Sequence, residues 1–193
     1  MRYPLEHKDR IHHRIVRAAS RRLRLRGGEG VPIAGLMREL HLTHGGFYRH
    51  FDNKEQLFTE AITDGFEEVG AMLVQAAEQA LPGHEVRALI ETYLSPQHCE
   101  KAAEGCPFAA LVSEIGRQPR GVRTAFESAL RAHARRIAQF LPGTTEEERE
   151  GNFAVLFSGM AGTLGLARAV SDSDARGRML EAAKALYIKA FAA

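Results

Sequence analysis

The chain has 193 residues, 45% of them hydrophobic, and a formal net charge of only +2. That is enough apolar material for one good core, or for a small domain attached to a larger one, and it excludes a disordered chain. Residues 1–58 carry 12 Lys and Arg against 6 Asp and Glu, together with six of the nine histidines, whereas residues 59–193 carry 14 against 18. A basic end on an acidic body suits a unit that meets polyanions joined to one that does not; a solvated basic helix on an ordinary protein is the plain alternative.

The N-terminus, Met1-Arg2-Tyr3-Pro4-Leu5-Glu6-His7-Lys8, has no secretory pattern, and with two cysteines in the chain the expected compartment is the cytoplasm. The longest uncharged stretch, Gly151 to Ala167, holds four glycines and an asparagine and is shorter than the ~20 apolar residues of a spanning helix, so no membrane span is expected.

Helical periodicity dominates throughout, and no segment alternates as a strand would. A first helix runs from about His7 to Arg26, with Ile11, Ile15, Ala18, Ala19, Leu23 and Leu25 turned inward, many arginines outward, and Gly27-Gly28 as its stop. Pro32 opens the first turn of a second helix, where a missing N–H costs nothing. In that helix Ile33, Leu36, Met37 and Leu40 share one face, and Leu42, Phe47 and Phe51 continue the apolar surface past a four-residue corner. Thr43 caps a short third helix. Asp52 or Asn53 caps a long fourth one, from about Asn53 to Leu81, closed by Pro82-Gly83. Further helices are expected near 85–94, 96–103, 107–117, 120–141, 146–171 and 174–191, separated by turn signals such as Ser95-Pro96, Gln118-Pro119 and Pro142-Gly143.

Two short helices around a corner, too short to stay folded alone, form a helix-turn-helix when an upstream helix supports them. The second element of such a unit presents its first residues to base edges, and here those are Thr43-His44-Gly45-Gly46. Adjacent glycines lose roughly 1 kcal/mol each against alanine inside a helix, which close approach of backbone to DNA would explain. A merely loosened turn is the alternative. Tyr48, His50 and Lys54 suit phosphate oxygens, and Thr43, His44 and Arg49 can hydrogen-bond to base edges.

The run Leu42-Thr43-His44-Gly45-Gly46-Phe47-Tyr48-Arg49-His50-Phe51, followed by Asn53-Lys54-Glu55, resembles the TetR family of bacterial transcriptional regulators over about residues 8–58. The resemblance implies an all-α fold: a three-helix DNA-binding domain, residues 1–52, joined to a larger helical effector-binding and dimerisation domain, residues 53–193. It implies a homodimer on a double-stranded operator, a small-molecule effector that releases it, and no cofactor. By position it implies base-facing Thr43, His44, Gly45 and Arg49, and phosphate-facing Gly46, Tyr48, His50 and Lys54. One departure stands out: the corner residue, usually glycine in that family, is His41, which would have to take a left-handed backbone.

In the remainder, Gly151, Gly159, Gly162 and Gly165 with Ala154, Ala161 and Ala167 give one helix a smooth surface, either for a dimer bundle or for packing within the chain. Phe66, Met72, Tyr93, Phe108, Phe126 and His133 line an effector cavity or are plain core. Cys99 and Cys106 are structural, or Cys106 near a helix start is an electrophile-sensing thiol of lowered pKa.

Enzyme signatures are absent. Gly28-Glu29-Gly30 lacks the third glycine of a dinucleotide site, there is no P-loop, and His12, His13, His41 and His44 do not make a metal set. The expected function is a ligand-responsive repressor, not an enzyme and without a metal. The alternative is a redox-sensing or ligand-binding protein whose basic head meets another polyanion.

Overall fold

The computed structural model describes residues 5–27 and 31–192; Gly28, Glu29 and Gly30 lie outside the described residues, and so does the Gly28 half of the stop expected for the first helix. Among the described residues the chain is helical without a strand. No helix there is long and apolar enough to cross a membrane.

Helix α1, Leu5–Arg26, buries Ile15, Val16, Ala19, Ser20, Leu23 and Arg24 along one stripe. It ends where Gly27 takes a φ of 69° and its N–H reaches the Leu23 carbonyl, the left-handed stop that glycine supplies without strain. Helix α2, Ile33–Glu39, follows the extended Pro32 and buries Leu36 and Met37. The expected third helix is instead a tight 3-10 segment, His44–Arg49, started by the Thr43 hydroxyl accepting from the Gly46 N–H. Two glycines weaken an α-turn, and at six residues the segment is longer than the three or four a 3-10 helix usually sustains, so it depends on the core beneath it.

Asn53, rather than Asp52, caps the long α3, Lys54–Glu78, with its side chain accepting from the Gln56 N–H. This helix is the spine of the molecule: its stripe from Leu57 and Phe58 through Ala61, Ile62, Gly65, Phe66, Val69 and Leu73 to Ala77 is buried against α1, α4 and α7. It stops three residues before the expected Leu81, which is exposed.

The body continues with α4 (Glu85–Tyr93), α5 (Pro96–Glu100), α6 (Pro107–Ile115), α7 (Arg120–Ala138), α8 (Glu146–Ala169) and α9 (Ser173–Phe191). The segment expected as one helix over 96–103 breaks into α5 and a 3-10 turn, Ala102–Glu104, because Lys101 leaves the helical region. Thr145 and Glu148 start α8 with a reciprocal capping box, and Asp172 caps α9. One apolar core joins α1, α2 and the 3-10 segment to α3, α6 and α7; a second fills the space among α3, α4, α7, α8 and α9.

One inward expectation on α1 is corrected: Leu25 is 57% exposed. Most of the arginines do face outward, but Arg24 is 5% exposed. Its guanidinium donates to the Glu68 carboxylate (2.7 Å) and to the carbonyls of Gly105 (3.1 Å) and Ser20 (3.3 Å). The bond to Gly105 crosses from α1 to the loop before α6. From the other side of that loop, Arg168 on α8 donates to the carbonyls of Cys99 and His98. His98 donates from Nδ1 to the Tyr93 carbonyl and accepts at Nε2 from the Cys106 N–H, which fixes its neutral tautomer.

The small residues of α8 divide. Ala161 and Ala167 are buried in the core, a Cβ on Gly159 would strike the Tyr187 side chain of α9, and Gly165 lies against the Ala109 carbonyl, so these four serve packing within the chain. Gly151 and Gly162 face open space. With exposed Val155, Ser158 and Leu166 they form an uncharged stripe at helical spacing along the outside of α8.

Two measurements test this packing. Arg24→Met leaves the Gly105 carbonyl and Glu68 without their partner and is expected to lower the urea unfolding free energy by about 3 kcal/mol. Burial holds His98 and His133 near pKa 4 in the folded chain, against an ordinary 6.5. Unfolding therefore takes up protons between those values: stability is greatest above about pH 6.5 and falls toward pH 4, by up to roughly 3 kcal/mol per histidine. His133→Phe should flatten that fall in urea titrations run at successive pH values.

Candidate nucleic-acid interface

The corner between α2 and the 3-10 segment turns on one residue. His41 has a φ of 57°, the only non-glycine positive φ among the described residues, which is the left-handed backbone its position requires. The N–H of His41 bonds to the Arg38 carbonyl and that of Leu42 to the Met37 carbonyl, so the turn is closed by its own backbone. Phe47 and Phe51 stack at 5.2 Å in the core beneath, and His12 of α1 stacks on Phe51 at 4.5 Å while bonding to Glu60 of α3. The 3-10 segment is thus clamped from below.

What remains above is exposed. Thr43, His44, Gly45 and Arg49 all face solvent, and a Cβ placed on Gly45 would meet nothing within 4 Å. No packing inside the chain demands glycine there. Gly46 is half-buried, its ideal Cβ 3.3 Å from the Thr43 hydroxyl that caps it. Tyr48 is 62% exposed, its ring edge against Phe47 at 5.2 Å and His44 at 6.1 Å. Lys54 is exposed, with Nζ 4.8 Å over the Phe58 ring, at the N-terminal turn of α3. A cation beside a helix start is where a phosphate would find both an ammonium and free backbone N–H groups.

His50 is half-buried, with Nδ1 enclosed and unpartnered. Burial, then the charges of His12, Lys8 and Arg49, hold its pKa below the ordinary value. A neutral imidazole still donates from Nε2 to a phosphate oxygen. The structure also brings in residues that sequence reasoning missed. His7 and Lys8, from the start of α1, line a groove of about 430 Å³ together with His41, Thr43, Arg49 and His50. The positive charge of Lys8 was legible, but nothing in a one-dimensional pattern carries residue 8 to residue 49.

Of the residues considered for an effector cavity, Phe66, Phe108, Phe126 and His133 come together: Phe66 lies 5.4 Å from Phe126 and 5.5 Å from His133, and Phe108 6.2 Å from Phe126. Tyr93 joins only through Phe157, 5.4 Å away, and Met72 is half-buried against the same core. Phe153 and Phe157, one turn apart on α8, complete the cluster and were missed; their i, i+4 spacing was the available signal. The rings are packed, and the cavity at Phe66, His133, Thr63, Glu67 and Arg136 holds about 40 Å³. His133 is 2% exposed, with neither ring nitrogen in normal hydrogen-bond geometry. Burial pulls its pKa down to about 4 against a smaller opposing pull from the Phe66 backbone.

Cys99 and Cys106 are both buried free thiols. Although Cys106 caps α6, burial pushes its pKa up, overcoming the opposing contacts from Tyr93 and the α6 backbone. The lowered pKa considered for it is therefore corrected. Among the described residues no three His, Cys, Asp or Glu side chains gather as a metal set.

Residues 15–61 match the family model described as bacterial regulatory proteins of the tetR family. The reading head belongs to the TetR family. By that family it is the DNA-binding head of a bacterial transcriptional regulator. Solved structures share the all-α fold over nearly the whole chain. A TetR-family regulator of Cytophaga hutchinsonii superposes with a TM-score of 0.77 at 16% identity, covering 96% of this chain and 97% of its own. A TetR regulator of Chloroflexus aurantiacus gives 0.75 at 19%, with 96% and 97% covered. A transcriptional regulator of Saccharomonospora viridis, solved with choline, gives 0.71 at 16%, with 94% and 96% covered. No curated protein matches the sequence.

The exposed residues of this TetR-type head divide by chemistry. Lys54→Ala and Tyr48→Ala are expected to weaken binding alike on every duplex, Lys54→Ala lowering the salt dependence by about one unit of slope. Arg49→Ala and His44→Ala should in addition relax base preference, by roughly 1–3 kcal/mol at the base contacted. Anisotropy titrations on selected and scrambled duplexes read both, and equal losses on the two would contradict this division.

Proposed function

We propose that the chain is a repressor that binds an inverted-repeat operator as a homodimer and leaves it when a small, largely apolar effector enters the helical body. The observation that carries the reading is the solvent-facing edge of Thr43, His44, Gly45 and Arg49, flanked by Tyr48 and Lys54, on a segment whose underside is fixed by Phe47 and Phe51. Residues 1–52 act as the head and 53–193 as the body, with α3 the lever between them. Gly46 and His50 take phosphates beside Tyr48 and Lys54. The protein works in the cytoplasm, where its operator is.

Dimerisation is assigned to the outer faces of α8 and α9. The stripe of Gly151, Val155, Ser158, Gly162 and Leu166, with Leu186 at 63% exposure on α9, is uncharged and suits a four-helix bundle across a twofold axis. Two heads related by that axis call for half-sites about one helical turn or more apart.

The effector is assigned to the aromatic cluster around His133. A cavity of about 40 Å³ fits little more than a water, so an effector must part the rings of Phe66, Phe126 and Phe108 and push on α3 and α7. That push is what would move the heads. The choline-bound Saccharomonospora viridis structure is a precedent for a small ligand in a similar fold. A thiol-based response receives no support, since burial keeps Cys106 protonated.

Selection of bound duplexes from a random pool should return an inverted repeat. Recovery of a single unrepeated site, or of none, would refute the reading. Gly162→Arg places a charge in the α8 stripe without disturbing the fold, because its Cβ meets open space. It is expected to convert the sedimenting species to monomer and to weaken operator binding by at least about tenfold.

A further inference from the structure

The outer side of α1 is an arginine face. Arg10, Arg14, Arg17, Arg21 and Arg26 are exposed and Arg22 is half-buried beside them; the helix has one lysine, Lys8. Arg21 pairs with Glu104 and Arg22 with Glu39. Among the described residues no carboxylate lies within salt-bridge distance of Arg10, Arg14, Arg17 or Arg26. Arg10 and Arg14, and Arg14 and Arg17, stand four and three residues apart, where like charges repel. Such a row is stabilised by an anion lying along it.

The row frames a groove of about 550 Å³ between α1, the end of α2 and the 102–104 turn, with Ala18, Leu25, Leu40 and Ala103 as its apolar floor. Its neighbour beyond Leu40 is the groove beside the reading segment, lined by His41, Thr43 and Arg49. Cationic residues therefore line two grooves, one on each side of the corner. From Lys8 in the first to Arg26 in the second these residues span about 27 Å of α1. Measured along the duplex axis one strand advances about 3.4 Å per phosphate and winds as it goes, so that length lies within reach of several of them. Guanidinium groups take phosphate oxygens in pairs, which ammonium groups do not, and the floor suits the apolar faces of deoxyribose.

We propose that this arginine groove is a second track for the DNA backbone, holding the duplex that flanks the bases read by Thr43 to Arg49. It rests on the DNA-binding reading of the head and extends its footprint. One wall belongs to the body: Ala103 lines the groove and the adjacent Glu104 pairs with Arg21. The grip on flanking DNA is thus set by the same loop that Arg24 and Arg168 hold. Motion of the body alters this grip as well as the separation of the heads.

The test uses the full chain and a 40-base-pair duplex of random sequence, with binding measured by anisotropy across a salt series. Arg14→Gln, Arg17→Gln and Arg26→Gln together remove three exposed charges that have no salt-bridge partner among the described residues. They are expected to lower the slope of log K against log salt by about 2–3 per head and to weaken binding at least tenfold at fixed salt. The same three positions changed to lysine should keep most of that slope. Lys54→Ala runs in parallel. If it lowers the slope while the glutamine triple stays within about 0.5 of the original, the track is refuted and the head's own contacts stand. If the lysine triple loses as much slope as the glutamine triple, the arginines act on the fold and the track is again refuted. An original chain that binds no duplex overturns both readings.

Discussion

A buried guanidinium joins the head of this protein to its body. Arg24 sits at 5% exposure with the Glu68 carboxylate on one side and the Ser20 and Gly105 carbonyls on the other. A lone charge in that position would be costly; paired, and with each of its three nitrogens bonded, it links α1, α3 and the loop before α6 at a single point. Gly65 makes the meeting possible. Its ideal Cβ would lie 2.7 Å from Pro107 and 3.2 Å from the Ser20 hydroxyl, so α3 can pass this close only without a side chain. The loop is held from behind by Arg168 and His98, and any side chain at Gly105 would collide with the Arg168 guanidinium. Two arginines from opposite ends of the fold thus pin one short stretch of backbone, which gives the head a defined attitude on the body.

The head and the body solve opposite problems. The head keeps polar groups outward on a segment too short to be stable alone, and obtains its rigidity from Phe47, Phe51 and His12 below. The body hides a polar group instead: His133 lies among Phe66, Phe153 and Phe157 with no normal hydrogen bond, at a cost the surrounding rings must offset. Gly70 faces that imidazole, its ideal Cβ 3.1 Å from Nδ1, so α3 is bare just where the ring presses on it. Any enlargement of this site is felt first by the helix that carries the head.

Much of this was legible in the chain. Turn and cap chemistry placed the helices: Gly27, Thr43, Asn53 and Ser95-Pro96 all act where local rules put them. The left-handed corner at His41 was implied by resemblance and is present. The misses share a cause. Arg24 and Arg17 are both arginines at helical spacing, and only the fold brings Glu68 and Gly105 to the first while leaving the second in water. Leu25 looked like core because apolarity says nothing about which side of a basic helix faces its neighbour. The glycines of α8 formed one pattern in sequence but serve two purposes in space, since Gly159 meets Tyr187 and Gly162 meets nothing. Sensing by Cys106 was judged from its place at a helix start, and the burial that decides its proton is a tertiary property.

The empty space over Gly45 has an evolutionary meaning. Most positions in a protein are constrained twice, once by what they touch in the interior and once by what they do. Here the first constraint is absent: the backbone is ordinary, no neighbour would have to move, and the turn is held by Thr43 and the core beneath it. Descendants of this chain can therefore vary that site and meet new targets while the scaffold stays as it is, a freedom the pinned loop at Gly105 does not share.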